Sequence, residues 1–553
     1  MRAFFLLILA IAVSMLVIPM AWRLAPRLGM VDQPDARKVH VTPVPRVGGW
    51  GITLGALVPL LLLEHLDPLF QSFVIGAGIL FAFGAWDDAK QISHWPKFLG
   101  QGLATAGVVF YGGLYVTRLP FIDGDVFSPL AGQLFTMVAM IGVINAINHS
   151  DGLDGLAGGE TLLSMVVIAF MGYLADSPMV VDIALATIGG IAGFLRYNTH
   201  PARVFMGDAG SQFLGFSLSF AIIYLVQVAN PATSAALPLL LLGLPLADII
   251  SVFYLRVSGG MNWFKATRNH VHHRLLDLGF SHYSTVVIIY LLQAYFVLAA
   301  VVLRYEADLL VVLAYVLVII ALFVTLTLLE RRRWQASASS TPQWLRAPDS
   351  LLSLVDKPWL RRLPLQLVCV SVPAFLAVST VVIHRVPPDF AWLALVLAVV
   401  LTASLALALW RDLPVLMLIG RTAVYVTMAF TVYLLVANTE AMAALNLHWV
   451  NGFFVALALA VGIVIRFTVQ QKFGTTPTDY LIVIGVLAVA FVNRIDRLDM
   501  QSGAAVHFIT YVIVLFYSCE LIFGQIRNWR AALAWPALLT LVVLAARGFL
   551  AGA

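Results

Sequence analysis

The chain has 553 residues, 61% of them hydrophobic and 11% charged, with a formal net charge of +5. That balance excludes a soluble globular protein and places the chain among polytopic membrane proteins. The small charge, with no basic stretch interleaved with aromatics, excludes nucleic acid as a partner. The two cysteines, Cys369 and Cys519, lie in apolar runs and exclude a disulfide framework.

Apolar runs able to cross a bilayer need roughly 20 residues each, with neighbours helping shorter ones. In chain order they fall near 3–22, 47–63, 71–86, 98–113, 132–148, 160–175, 181–196, 210–229, 235–256, 284–303 and 308–329. The first reads as a retained span rather than a signal peptide, because no cleavage site precedes a soluble domain and further spans follow at once. With the N-terminus outside, the inside loops are 23–46, 87–97, 149–159, 197–209, 257–283 and the segment after 330. These hold Arg23, Arg27, Arg37, Lys38, Arg46, Lys90, Lys97, Arg203, Lys265, Arg268, Arg274 and Arg331-Arg332-Arg333, whereas the outside loops are poor in Lys and Arg. Residues 331–363 read as a cytoplasmic linker, and 364–553 hold about seven more apolar runs without a comparable polar cluster. The expected fold class is therefore all-α: a polytopic integral membrane protein with about 11 transmembrane helices in a core domain (1–330) and about seven in a C-terminal extension (364–553).

Acids and histidines bordering a bilayer are costly and call for a reason. Here they gather in the inside loops, although the charge bias was drawn from Lys and Arg alone. Asp87-Asp88 ends a span; paired carboxylates can hold a divalent cation or act as a base, and a solvated helix end is the plainer alternative. Asn145, Asn148, Asp151 and Asp154 follow in Asn-x-x-Asn-x-x-Asp-Gly-Leu-Asp-Gly. The spacing of three would share a helix face, while Gly152 and Gly155 argue that the helix unwinds. Hard oxygen ligands of this kind suit magnesium, which usually binds substrate phosphates as well. Gly207-Asp208-Ala209-Gly210 sets an acid between glycines at the start of a span, which suits a phosphate or a simple capping turn. His270-x-His272-His273-Arg274 is poorly spaced for one zinc ion and fits a diphosphate better.

Taken in order, these segments resemble the polyprenyl-phosphate N-acetylhexosamine-1-phosphate transferase family. The match runs from Arg37-Lys38-Val39-His40 and Arg46 through Asp87-Asp88, Lys97 and the Asn145–Gly159 segment. It continues through Asn198-x-x-Pro201-Ala202, Phe205-Met206-Gly207-Asp208, Pro245, Asp248 and Arg256 to the histidine motif. It covers about residues 1–330. The His-x-His-His form is similar to the bacterial branch that uses UDP-N-acetylglucosamine and undecaprenyl phosphate, although Thr267-Arg268 stands where that branch usually has Asp-Arg.

The resemblance implies transfer of N-acetylglucosamine-1-phosphate, or of a related amino sugar, from a UDP-sugar to a polyprenyl phosphate, with release of UMP, to initiate cell-envelope glycan synthesis. It implies magnesium, or manganese in its place, on Asn148 and Asp208. Asp154 would contact the uracil, with Asn145, Asp151 and Arg268 also binding substrate. Asp87 or Asp88 would position or deprotonate the lipid phosphate. Lys97, and second Arg46, would hold that phosphate, and His270, His272 and His273 the diphosphate–sugar. Direct transfer and a covalent aspartyl intermediate both remain open. The expected location is the bacterial inner membrane with the site facing the cytoplasm, a homodimer being an open option. A lipid-linked sugar transporter is the alternative outside enzymes; it would carry its polar groups near the bilayer midplane.

Overall fold

The computed structural model describes residues 2–33, 43–63, 67–122, 128–260, 269–336, 358–410, 414–467, 501–526 and 528–551. The Arg37–His40 motif, Thr267, Arg268 and most of the linker lie outside the described residues. The chain divides into two compact units, one built from the helices up to Arg331 and one from those after Pro358.

Each apolar run of the first unit is helical. The helices are α1 (Arg2–Leu28), α2 (Gly48–Leu63), α3 (Pro68–Lys90), α4 (His94–Ala106), α5 (Pro129–Ser150), α6 (Leu156–Leu174) and α7 (Pro178–Asn198). Then come α8 (Gly207–Tyr224), α9 (Leu237–Leu242), α10 (Leu244–Ser258), a short α11 (Val271–Asp277), α12 (His282–Leu303) and α13 (Asp308–Arg331). Proline in the first turn starts α3, α5 and α7, where its missing N–H costs nothing. Among the described residues of the whole chain, 13 helices are long and apolar enough to cross a membrane, eight of them in this unit. The protein is an all-α, multi-pass membrane protein.

Three of the eleven expected spans are not among these eight: 47–63 is the shorter helix α2, 98–113 holds the 13-residue α4, and 235–256 is not continuous. The run 235–256 is broken at Gly243, between α9 and α10, because Pro245 follows and cannot continue the hydrogen-bond ladder. Freed backbone groups inside a bundle need partners. Gln293 of α12 accepts from Leu244 N at 3.0 Å, and Tyr315 of α13 donates to Gly243 O at 3.1 Å. The Gln293 amide also donates to Ser164 of α6 at 2.9 Å.

Hydrogen bonds gather the connecting loops into two groups. At one end the loop after α4 is tied to the end of α8 by Thr117 N and Arg118 N on Gln227 Oε1 (3.1 and 3.2 Å), and to α13 by Phe121 N on Asp308 (2.9 Å). At the other end a two-residue ladder pairs Val31 with Pro45 and Asp32 with Val44. Phe205 N donates to Pro45 O (2.8 Å), Gly48 N to Phe205 O (2.9 Å) and Gly49 N to Met206 O (2.8 Å). The start of α2 is thereby laced to the loop that leads into α8. Every acid and histidine cluster described in the sequence belongs to this second end.

The second unit contains the helices Pro358–Val382, Pro388–Trp410, Pro414–Ala437, Thr439–Leu445, Leu447–Phe467, Gln501–Gln525 and Trp535–Ala551. Five of its segments are long and apolar enough to span a bilayer, and Thr510–Gln525 is a shorter apolar helix. The apolar run at 480–492 lies outside the described residues. Among the described residues of this unit, half-buried polar side chains meet one another and the backbone: Tyr425 bonds Glu520, Arg547 donates to the Thr380 and Ile383 carbonyls, and Arg421 lies over Phe523.

Candidate active site

The last turn of α3 carries Asp87 and Asp88, both buried. Their roles differ. Asp88 accepts from Asp208 N at 2.8 Å and Ala209 N at 3.1 Å, so both its oxygens are used at the N-terminus of α8. Those are amides a helix start leaves unpaired. Gly207 makes this possible: its φ is +72°, and a Cβ there would lie 2.6 Å from both Asp88 oxygens. Asp208 itself, one residue into α8, is left to face the site. The sequence had grouped Asp87 and Asp88 as equivalent candidates and allowed that Asp208 was a capping residue; the cap is Asp88.

Lys97, in the first turn of α4, lies between Asp87 Oδ2 at 2.6 Å and Asp208 Oδ2 at 2.7 Å. Burial alone would lower its pKa, but Asp208 and Asp87 outweigh it and raise the net value. Asn148, in the last turn of α5, donates to Asp208 Oδ1 at 3.1 Å and to Ser211 Oγ at 2.8 Å. Asp87 Oδ1 is buried with no hydrogen-bond partner. Four helices thus bring three carboxylates against one ammonium, an uncompensated formal charge of −2.

Beside this centre, α5 ends and the chain turns through Asp151-Gly152-Leu153-Asp154-Gly155 before α6, as the glycines foretold. The Asp151 carboxyl is pushed up to about 7, by burial first and then by Asp208 and Asp154. Asp154 Oδ2 meets His200 Nδ1 at 2.7 Å and accepts from Ala202 N at 3.0 Å.

The histidine motif docks on this turn. Asp248 of α10 accepts from Val271 N at 2.8 Å and meets His270 Nδ1 at 2.7 Å, so it starts α11 and orients His270. Buried His272 packs so tightly on Gly152 that a Cβ there would lie 2.2 Å from His272 Nε2. Burial, then His273, holds its pKa down to about 3, so the ring is neutral. The His272 and His273 rings lie 4.2 Å apart. His149, next to Asn148, stacks on His270 at 5.6 Å and joins the histidines to the carboxylate centre.

Three sequence candidates have other engagements. Arg46 is ion-paired to Asp32 across the short ladder. Asn145 spends its amide on Gln101 Oε1 (2.9 Å) and Ile141 O (2.8 Å), tying α5 to α4 one turn below Asn148. Arg274 makes a two-pronged pair with Glu330 of α13, at 2.7 and 2.8 Å, instead of facing a diphosphate. Arg268 lies outside the described residues. His149, His200 and His282 escaped the sequence reading. His149 and His200 sit inside recognised motifs at unremarked positions, and His282 meets Asp154 O at 3.3 Å from the start of α12.

The family model described as Glycosyl transferase family 4 matches residues 70–226, from α3 to α8. A Bacillus subtilis (strain 168) protein named a probable undecaprenyl-phosphate N-acetylglucosaminyl 1-phosphate transferase is 32% identical over 300 residues, covering 54% of this chain and 84% of its own length. A Mycobacterium tuberculosis (strain ATCC 25618 / H37Rv) protein named decaprenyl-phosphate N-acetylglucosaminephosphotransferase is 32% identical over 304 residues, 48% of this chain and 74% of its own. An Escherichia coli (strain K12) protein named undecaprenyl-phosphate alpha-N-acetylglucosaminyl 1-phosphate transferase is 29% identical over 283 residues, 50% of this chain and 76% of its own. With the matched segment carrying Asp87, Asp88, Lys97, Asn148 and Asp208, the chain belongs to glycosyl transferase family 4, as a multi-pass membrane transferase.

Proposed function

We propose that the protein transfers N-acetylglucosamine-1-phosphate from UDP-N-acetylglucosamine to undecaprenyl phosphate, releasing UMP. The observation that carries this reading is the Asp87–Lys97–Asp208–Asn148 centre, together with the names of the relatives that share its segment. Acids gathered at one end of a bundle suit a water-soluble nucleotide meeting a lipid headgroup at the membrane surface. The Lys and Arg bias of the loops at that end supports a site facing the cytoplasm from the inner membrane.

The residues fit a divalent cation. Three carboxylates oppose one ammonium, and Asp87 Oδ1 is buried without a partner. Asp208 and the Asn148 amide oxygen would hold magnesium, with manganese able to replace it; bound there, the ion would supply charge neutralisation on the sugar diphosphate. Lys97 binds the phosphate of the acceptor lipid and keeps it against Asp87, which takes any proton left on it. Asp88 holds the α8 N-terminus, and so Asp208, in place. Neutral His272 and the ring of His273 donate to the diphosphate–sugar, and His270 is aimed by Asp248. Asp154 and Asp151 border the nucleotide. In-line attack of the lipid phosphate oxygen on the β-phosphorus then breaks its bond to the UMP oxygen, and UMP leaves.

The test supplies purified protein with several radiolabelled UDP-sugars and undecaprenyl phosphate and measures UMP. Turnover with UDP-N-acetylglucosamine, lost in excess chelator and restored by magnesium, is expected. Undiminished turnover in chelator would remove the metal from the scheme, and no UMP from any UDP-sugar would remove the reaction.

A further inference from the structure

We propose that Asp154, His200 and His282 form a second metal site, which takes a divalent transition ion of the zinc class. One ligand atom from each lies within 4.8 Å of the other two, the one such group of three His, Cys, Asp or Glu side chains among the described residues. The residues come from three separate segments: the turn after α5, the loop after α7 and the first turn of α12. The two imidazole rings stack at 4.0 Å with 22° between their planes, so both histidines belong to one cluster.

The donor set decides the class of ion. Two imidazole nitrogens and one carboxylate suit zinc and its neighbours, whereas magnesium prefers oxygen. The Asp87–Asp208 centre presents oxygens only, so the two sites sort their ions by chemistry. Three protein ligands would leave a fourth position open. The Asp154 Oδ2 to His200 Nδ1 separation is 2.7 Å. Two ligands on a tetrahedral zinc stand roughly 3.3 Å apart, given bonds of about 2.0–2.1 Å. A modest opening of the pair therefore admits the ion. Ala202 N donates to the same Asp154 Oδ2 at 3.0 Å and so orients the carboxylate, as outer partners orient metal ligands.

Such an ion would staple three segments that meet beside the candidate active site. The loop after α7 leads directly to Asp208, and Asn198 at its start accepts from Gly155 N at 2.8 Å. Binding would fix the Asp151–Gly155 turn against the α8 entrance without taking part in the bond-breaking step. The inference does not depend on the proposed reaction, because its readout is ion binding rather than turnover.

Full-length protein in detergent is stripped of metal, returned to magnesium buffer and dialysed against zinc. The wild type should retain one zinc per chain and gain thermal stability with it. His200→Asn and His282→Asn should each weaken retention at least about tenfold, while His273→Asn should keep it. Cobalt offered to the wild type should give the visible bands of low-symmetry nitrogen and oxygen ligation, a readout that requires no variant. No zinc retained by the wild type, no such cobalt bands, equal retention by the His200 and His282 variants, or loss in His273→Asn would each overturn the site.

Discussion

Replacing Asp88 by Asn separates a structural acid from a chemical one. The carboxylate accepts from two amides, Asp208 N and Ala209 N, at the start of a buried helix. An Asn has one oxygen, so one amide keeps a partner and the other faces an NH2 group. An unmatched buried amide costs about 1–3 kcal/mol. The Asn NH2 in that contact is left without an acceptor as well, giving a loss of roughly 3 kcal/mol in all. At about 2 °C per kcal/mol for a large domain, the melting temperature in detergent should fall roughly 6 °C. Turnover should fall too, because Asp208 is positioned by the same helix start. Asp87→Asn is the control. Its Oδ1 has no partner, and its Oδ2 meets a Lys97 that is partly exposed. Asn there keeps the shape and removes one of the crowded negative charges, so its stability should change less than that of Asp88→Asn, with activity lost. An Asp88→Asn protein that melts with the wild type yet is as inactive as Asp87→Asn would refute the division of roles.

Gly207→Ala should damage the same joint from the other side, since its φ is +72° and the new Cβ would press on Asp88; reduced yield and a lower melting temperature are the measurements. Asn145→Ala should cost about 1–2 kcal/mol for its lost amide bonds yet retain turnover per folded molecule, because it bonds Gln101 and Ile141 and not the centre. His272 is held near 3 when folded against about 6.5 unfolded. The unfolded chain therefore binds the extra proton, and this contribution to stability, full above pH 6.5, is lost as pH falls towards 3. At pH 5 that is about 2 kcal/mol, at 1.4 kcal/mol for each pH unit. Asp151, pushed up to about 7, works in the opposite sense over pH 5–7. The readout is thus the difference between wild type and His272→Asn at pH 7.5 and pH 5; no change in that difference would contradict a neutral buried His272.

The spans were legible because each leaves an apolar run, and the turn between α5 and α6 because Gly152 and Gly155 punctuate it. The clustering of acids and histidines at one end was legible from Lys and Arg in the alternate loops. Partnerships over long separations were not. Asp88 finds its amides 120 residues on, and nothing local distinguishes it from Asp87. Arg46 and Arg274 look free in sequence and are claimed by Asp32 and Glu330. The break at Gly243 had a local signal in Gly243-Leu244-Pro245, hidden by the apolar residues on both sides. It is a discontinuous helix, as transporters use, but Gln293 and Tyr315 satisfy its backbone and the acids gather at the bundle end instead. That placement supports the enzyme over the transporter.

The most direct measurement compares wild type with Asp208→Asn in one assay, following lipid-linked N-acetylglucosamine diphosphate made from UDP-N-acetylglucosamine and undecaprenyl phosphate. Asp208 faces Lys97 and Asn148 while Asp88 holds its helix. The variant should therefore fold and bind detergent like the wild type yet form product at least about a hundredfold more slowly. Equal rates of lipid product in the two folded proteins would contradict the assignment of this centre as the place where the phosphoryl group is transferred.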